Sequence, residues 1–187
     1  MAEVLLFHHA QGLTEGVVAF ADELRAAGHL VHTPDLYEGR TFASLPEGMA
    51  FAQEIGFGTI VERGRRAVEG LDTVYIGLSL GVLPAQMLAQ TRPGAGGAVF
   101  IAAAIALSEF GGAWPDGVPL QLHGPDPDED VEIARALAAT IDGVERFLYP
   151  GAGHLFVDRS LPDYDEEAAG LVRERVLRFL AQSPLRT

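Results

Sequence analysis

Ser79 stands at the centre of Gly77-Leu78-Ser79-Leu80-Gly81, between the apolar run 73–77 and a helix-like run that continues to Thr91. The spacing has a mechanical reason. A sharp turn from strand to helix strains the backbone of its central residue, and small residues two before and two after it let strand and helix pack closely. Such a turn lifts Ser79 Oγ clear of the sheet. It also sets the Leu80 N–H at a helix start, aimed at an oxyanion forming beside the serine. A serine needs a base, and the base needs an orienting carboxylate. His154, in "GAGHLF", is the candidate base, and Asp126, in "HGPDPDED", is the candidate acid, with Asp128 its rival. Asp130 reads as the N-cap of the helix that follows. The chemistry of such a set is acyl transfer. The plainer readings are a Gly-rich turn capped by Ser79 and a loop histidine paired with Asp158 or Asp163.

These three side chains meet only if the elements carrying them end together. Short apolar runs predict strands at 3–8, 29–34, 73–77, 97–102, 118–124 and 144–150. Helical spacing predicts helices between them. The first carries Val17, Phe20, Ala21, Leu24 and Ala27 and stops at Gly28. Another region runs from about Gly48 to Gly70 with a break near Gly56. Further helices are expected over 80–91, 130–141 and 165–182. This alternation implies an α/β fold, a doubly wound and mostly parallel sheet of about six strands with helices on both faces. Ligands bind such sheets beyond the carboxyl ends of the strands. Ser79, Asp126 and His154 each follow a different predicted strand, the third, fifth and sixth.

The chain has 187 residues, the size of a single domain, 1–187. Its net charge is −13 and every base other than histidine is arginine, so it repels phosphate backbones and anionic lipid; neither nucleic acid nor membrane is an expected partner. With no cysteine it has no disulfide, thiolate metal site or cysteine nucleophile. "MAEVLLFHHAQG" has no basic n-region and only a short apolar run, which points to a cytoplasmic protein. Adjacent His8 and His9 suggest a metal, but strand neighbours point to opposite faces, so no metal and no cofactor is expected.

At this point the chain resembles the dienelactone hydrolase family of α/β-hydrolases, in a compact branch of short bacterial proteins. The stretches that carry the likeness are "LLFHHAQGL", "AAGHLVHTPDLYEGR", "GLSLGVLPAQ", "LQLHGPD", "YPGAGHLFVDRSLPDY" and "AAGLVRERVLRFL". The resemblance implies a minimal α/β-hydrolase fold with strand order 2-1-3-4-5-6. It implies a Ser79–His154–Asp126 triad and oxyanion donors at the backbone N–H groups of Ala10 and Leu80. Three positions depart from the family. Ser79 stands where the best-known members have Cys, His9 where they have Glu, and Asp158 where they have the Arg that grips a substrate carboxylate.

The expected activity is hydrolysis of small carboxylic esters or lactones through an acyl-enzyme, by a monomer or small homo-oligomer. The alternatives are a non-catalytic scaffold of the same fold and a ligand-binding protein. A flavodoxin-like phosphate cradle is disfavoured because "HHAQGL" lacks its glycine spacing and its Ser or Thr. Candidate pocket residues are His9, Arg40, Phe110, Trp114 and Phe156, with Arg40 and Arg159 as replacement carboxylate clamps. An acid at 158 beside the base predicts a preference for neutral esters.

Overall fold

The alternating pattern folds into strands and helices in strict succession in the computed structural model, which describes residues 1–68, 73–127 and 131–182. In chain order these are β1 (Glu3–Phe7), α1 (Glu15–Ala26), β2 (Leu30–His32), α2 (Leu45–Ile55), α3 (Phe57–Arg66) and β3 (Val74–Leu78). They continue as α4 (Val82–Thr91), β4 (Gly97–Ile101), β5 (Leu120–Asp126), α5 (Val131–Thr140), β6 (Glu145–Pro150) and α6 (Glu166–Gln182). Short 3-10 turns stand at Ser79–Gly81 and Leu107–Phe110. The strands form one parallel sheet in the order β2-β1-β3-β4-β5-β6, as expected. Because β2 and β3 flank β1, the winding reverses there, and Ser79 follows β3 directly beside that reversal.

One strand feeds two cores because successive side chains point to opposite faces. Val4 and Leu6 of β1 join Val17, Phe20 and Leu24 of α1 and Val172, Val176 and Leu180 of α6. Leu5 and Phe7 join Ile60 of α3, Val82 and Ala85 of α4, and Leu137 of α5. Val172, Val176 and Leu180 follow one another at helical four-residue steps and are all fully buried. Each contributes roughly 1.5–3 kcal/mol by leaving water. Thr14 caps α1 by accepting from the Val17 N–H, and Ser44 caps α2 by accepting from the Glu47 N–H. Gly56, at φ +83°, ends α2 and begins α3, which is the break expected near that glycine.

Two boundaries differ from expectation in ways that matter for the site. β5 is displaced two residues along the chain, so Asp126 is its last residue and pairs with Pro150. Pro119 has no N–H to start the ladder, and the Val118 carbonyl is taken by the Trp114 indole. The helix after β3 begins with a 3-10 turn rather than a full α-turn, which tightens the approach of α4 to the sheet.

Candidate active site

The site begins with the backbone at Ser79, whose φ is +49°, a left-handed conformation that costs a non-glycine residue energy. The flanking glycines explain how the strain is held. A Cβ on Gly77 would meet Gly81 O and the backbone of Val82 at 2.6 Å. A Cβ on Gly81 would meet Phe7 O at 2.3 Å and His8 O at 2.7 Å. The pentapeptide is therefore a packing requirement, with β1 and β3 pressed against the start of α4. The turn presents a half-buried Ser79 whose Oγ stands 2.8 Å from His154 Nε2.

His154 sits four residues beyond β6 in a loop that re-enters the protein. Gly151, at φ +78°, turns the chain, and its N–H donates to the Asp126 carbonyl at 3.1 Å. Asp163 then takes the Leu155 N–H at 3.3 Å and packs against Gly153. With Nε2 facing the serine oxygen as acceptor, the imidazole proton belongs on Nδ1. Among the described residues no carboxylate hydrogen-bonds to that nitrogen. Asp126 lies exposed at the tip of β5, joined to this loop through its backbone. Its rival Asp128, like Asp130, lies outside the described residues.

The loop after β1 is held on three sides. His8, fully buried, donates from Nδ1 to the His9 carbonyl and accepts the Leu36 N–H on Nε2 at 2.9 Å. Gln11 exchanges backbone and side-chain bonds with Phe42, at 2.9 and 3.1 Å, and Gly12 bridges to Thr41. Gly48 of α2 packs so closely on the Ala10 carbonyl that a Cβ there would stand 1.9 Å from it. His9 is the third anchor. Its Nδ1 accepts the Gln11 N–H at 3.2 Å, and its Nε2 donates to Asp158 at 2.7 Å. The two histidines hold opposite tautomers, and all four ring nitrogens have protein partners. Among the described residues no group of three or more His, Cys, Asp or Glu is arranged to hold a metal ion.

Asp158 corrects an expectation. It is 1% exposed and takes bonds from His9, Thr14, and both the N–H and the hydroxyl of Ser160. Burial alone would raise its carboxyl, but these bonds outweigh burial and hold it at about 2. The acid does not face a substrate, and the reason for excluding carboxylate substrates disappears with it.

Four of the candidate pocket residues, His9, Phe110, Trp114 and Phe156, are corrected as well. His9 is fully buried and turned to Asp158. Phe156 is also fully buried, 5.0 Å from the Tyr149 ring, because the turn after His154 directs it into the core between α1 and α6. Phe110 and Trp114 belong to a loop pinned by Gln90, which donates to the Leu107 and Ala113 carbonyls at 3.1 Å. Gln90 is eleven residues beyond Ser79, or roughly 16 Å along α4 at 1.5 Å per residue. Trp114 closes the edge of Phe100 at 6.1 Å, and together with Asp116 and Asp142 it lines a crevice of about 700 Å³ at the far end of the sheet. Arg40 is exposed near the loop after β1, its guanidinium 4.8 Å above the Phe51 ring. Arg159 lies beside α1 with Phe20, Glu23 and Tyr164. The ring of partners around Asp158 was missed because His9 and Asp158 are 149 residues apart and neither belongs to a spacing motif.

No family model and no curated protein matches this chain by sequence. Solved structures do. A dienelactone hydrolase-like promiscuous phosphotriesterase from metagenomic libraries superposes with TM-score 0.76 at 18% identity, covering 98% of this chain and 87% of that one. A dienelactone hydrolase from Anabaena variabilis gives 0.70 at 15%, covering 97% and 87%. Est1E from Butyrivibrio proteoclasticus, seen with ferulic acid, gives 0.63 at 16%, covering 98% and 89%. This chain thus has the α/β-hydrolase fold, in the form shared by the dienelactone hydrolase-like proteins.

Proposed function

We propose that this protein is a serine hydrolase of the dienelactone hydrolase family that cleaves small carboxylic esters or lactones through an acyl-enzyme. The observation that carries the reading is the 2.8 Å contact of Ser79 Oγ with His154 Nε2 at a strained strand-to-helix turn. His154 takes the hydroxyl proton as Oγ attacks the ester carbonyl, then returns it to the leaving alcohol. Water hydrolyses the acyl-enzyme with His154 again as base. The N–H groups of Leu80, at the start of the 3-10 turn, and of Ala10, in the loop clamped by Gly48, stabilise the tetrahedral oxyanion. Such a donor is worth about 3 kcal/mol. The candidates for the acid that orients His154 are Asp126, whose carbonyl holds the Gly151 N–H of the His154 loop, and Asp128.

The neighbours' activities support hydrolysis and leave the leaving group open, since one is a phosphotriesterase and another holds ferulic acid. No helix among the described residues is long and apolar enough to cross a membrane. The test is labelling with a fluorophosphonate followed by mass spectrometry. Modification at Ser79 supports the reading. An unlabelled Ser79 that also fails to turn over p-nitrophenyl esters leaves the fold as a scaffold.

A further inference from the structure

His9 and Asp158 tie together the two loops that the proposed chemistry depends on. His9 directly precedes Ala10, whose N–H faces the oxyanion in the reading above. Asp158 closes the turn that carries His154, with its own N–H donating to Leu155 O at 3.0 Å. Both side chains are fully buried. The carboxylate is saturated: Oδ2 takes His9 and Thr14, and Oδ1 takes the N–H and hydroxyl of Ser160. The fit is close, since a Cβ on Gly16 would overlap Asp158 Oδ1 at 1.6 Å. A buried carboxylate loses its hydration, and apolar replacements of such pairs are often as stable. Stability alone therefore does not account for this pair, whereas its two ends account for it well.

We propose that His9 and Asp158 are a positioning pair for the reaction at Ser79, holding the oxyanion-side loop in register with the loop of the base. The proposal rests on the hydrolase reading and adds to it residues that never touch the substrate. The bond that matters is His9 Nε2–H to Asp158. The bond from the Gln11 N–H to Nδ1 supports it by holding the imidazole in the Nε2–H tautomer.

The two bonds can be separated. A glutamine at position 9 places its amide nitrogen near the place of Nε2 and keeps the donor to Asp158. An asparagine places its amide near Nδ1 and keeps only the Gln11 contact. kcat and KM are measured with p-nitrophenyl acetate, normalised to sites titrated with a fluorophosphonate. His9→Gln is expected to keep kcat within about fivefold, while His9→Asn and Asp158→Asn each lose about 10- to 100-fold with KM nearly unchanged, as for a small displacement of reacting groups. The His9→Asn/Asp158→Asn double variant is expected to be no worse than either single one. His9→Asn matching His9→Gln, or all variants keeping wild-type kcat per titrated site while only Tm falls, would overturn the proposal. Should His9→Asn fail to fold, Ser160→Ala decides against Asp158→Asn. It takes a donor from the same carboxylate but leaves His9 bound, so it lowers Tm and keeps kcat within about threefold. Equal losses of kcat in the two would refute the tie. A wild-type protein that does not label would instead overturn the hydrolase reading, and the proposal with it.

Discussion

Gly81→Ala puts the packing of the elbow to a direct test. The added methyl would stand 2.3 Å from Phe7 O and 2.7 Å from His8 O, both backbone atoms of β1 and its following residue. No rotamer relieves a backbone contact. Clearing the Phe7 oxygen to about 3.0 Å requires the start of α4 to retreat by about 0.7 Å. Ser79 is two residues away on the same turn, so it moves with that retreat. If the displacement runs along the line to His154, the 2.8 Å contact opens to roughly 3.5 Å, outside the useful range for this hydrogen bond. Overpacking of this kind costs about 1–3 kcal/mol, which at this chain length lowers Tm by roughly 2–12 °C. The loss in kcat should reach about 10²-fold for a displacement approaching an ångström. Gly170→Ala is the matched control, because nothing lies within 4 Å of a Cβ on this α6 glycine. It is expected to raise stability by about 0.5–1 kcal/mol and leave kcat alone. The assay is p-nitrophenyl acetate hydrolysis at a temperature where both variants are folded by circular dichroism. A Gly81→Ala protein with wild-type kcat and Tm would refute the steric account of the pentapeptide.

Ser79→Ala and His154→Ala are each expected to lower kcat at least about 10³-fold without unfolding the protein, and the double variant to be no worse, because the two act as one unit. Strict additivity in ester hydrolysis would argue against the pair. Asp126→Asn is expected to cost far more kcat than Asp128→Asn, since only the acid on His154 Nδ1 sets its tautomer; the opposite ranking assigns the role to Asp128. Fully buried His123 bonds Tyr149 and Gln121, and burial, with Arg175 adding to it, holds its pKa down to about 3. The unfolded chain therefore binds a proton that the folded chain refuses between about pH 6.5 and 3. Through that window stability falls on acidification by up to about 1.4 kcal/mol per pH unit. Denaturant unfolding of wild type against His123→Gln measures this slope, and identical slopes would contradict the assignment.

Much of this molecule is written in short-range patterns. The alternating faces of β1, the four-residue steps of α6, the break at Gly56 and the Gly77–Ser79–Gly81 elbow all follow from period, propensity and local sterics, which act over a few residues, while the strand order was legible only through the family resemblance. The Ser79 and His154 side chains were legible for the same reason, since each lies in the segment that follows a recognisable strand. What needed the folded chain is the set of contacts between segments far apart in sequence. An acid at 158 looks like an exposed repulsive charge until the fold brings His9, Thr14 and Ser160 around it. An aromatic at 156 looks like a pocket wall until the turn after His154 sends it inward. Trp114 looks like a pocket wall until Gln90 draws its loop to the far end of α4. In each case the side chain's chemistry permits several places, and the choice among them is made by burial and hydrogen bonding that exist only once the sheet has assembled.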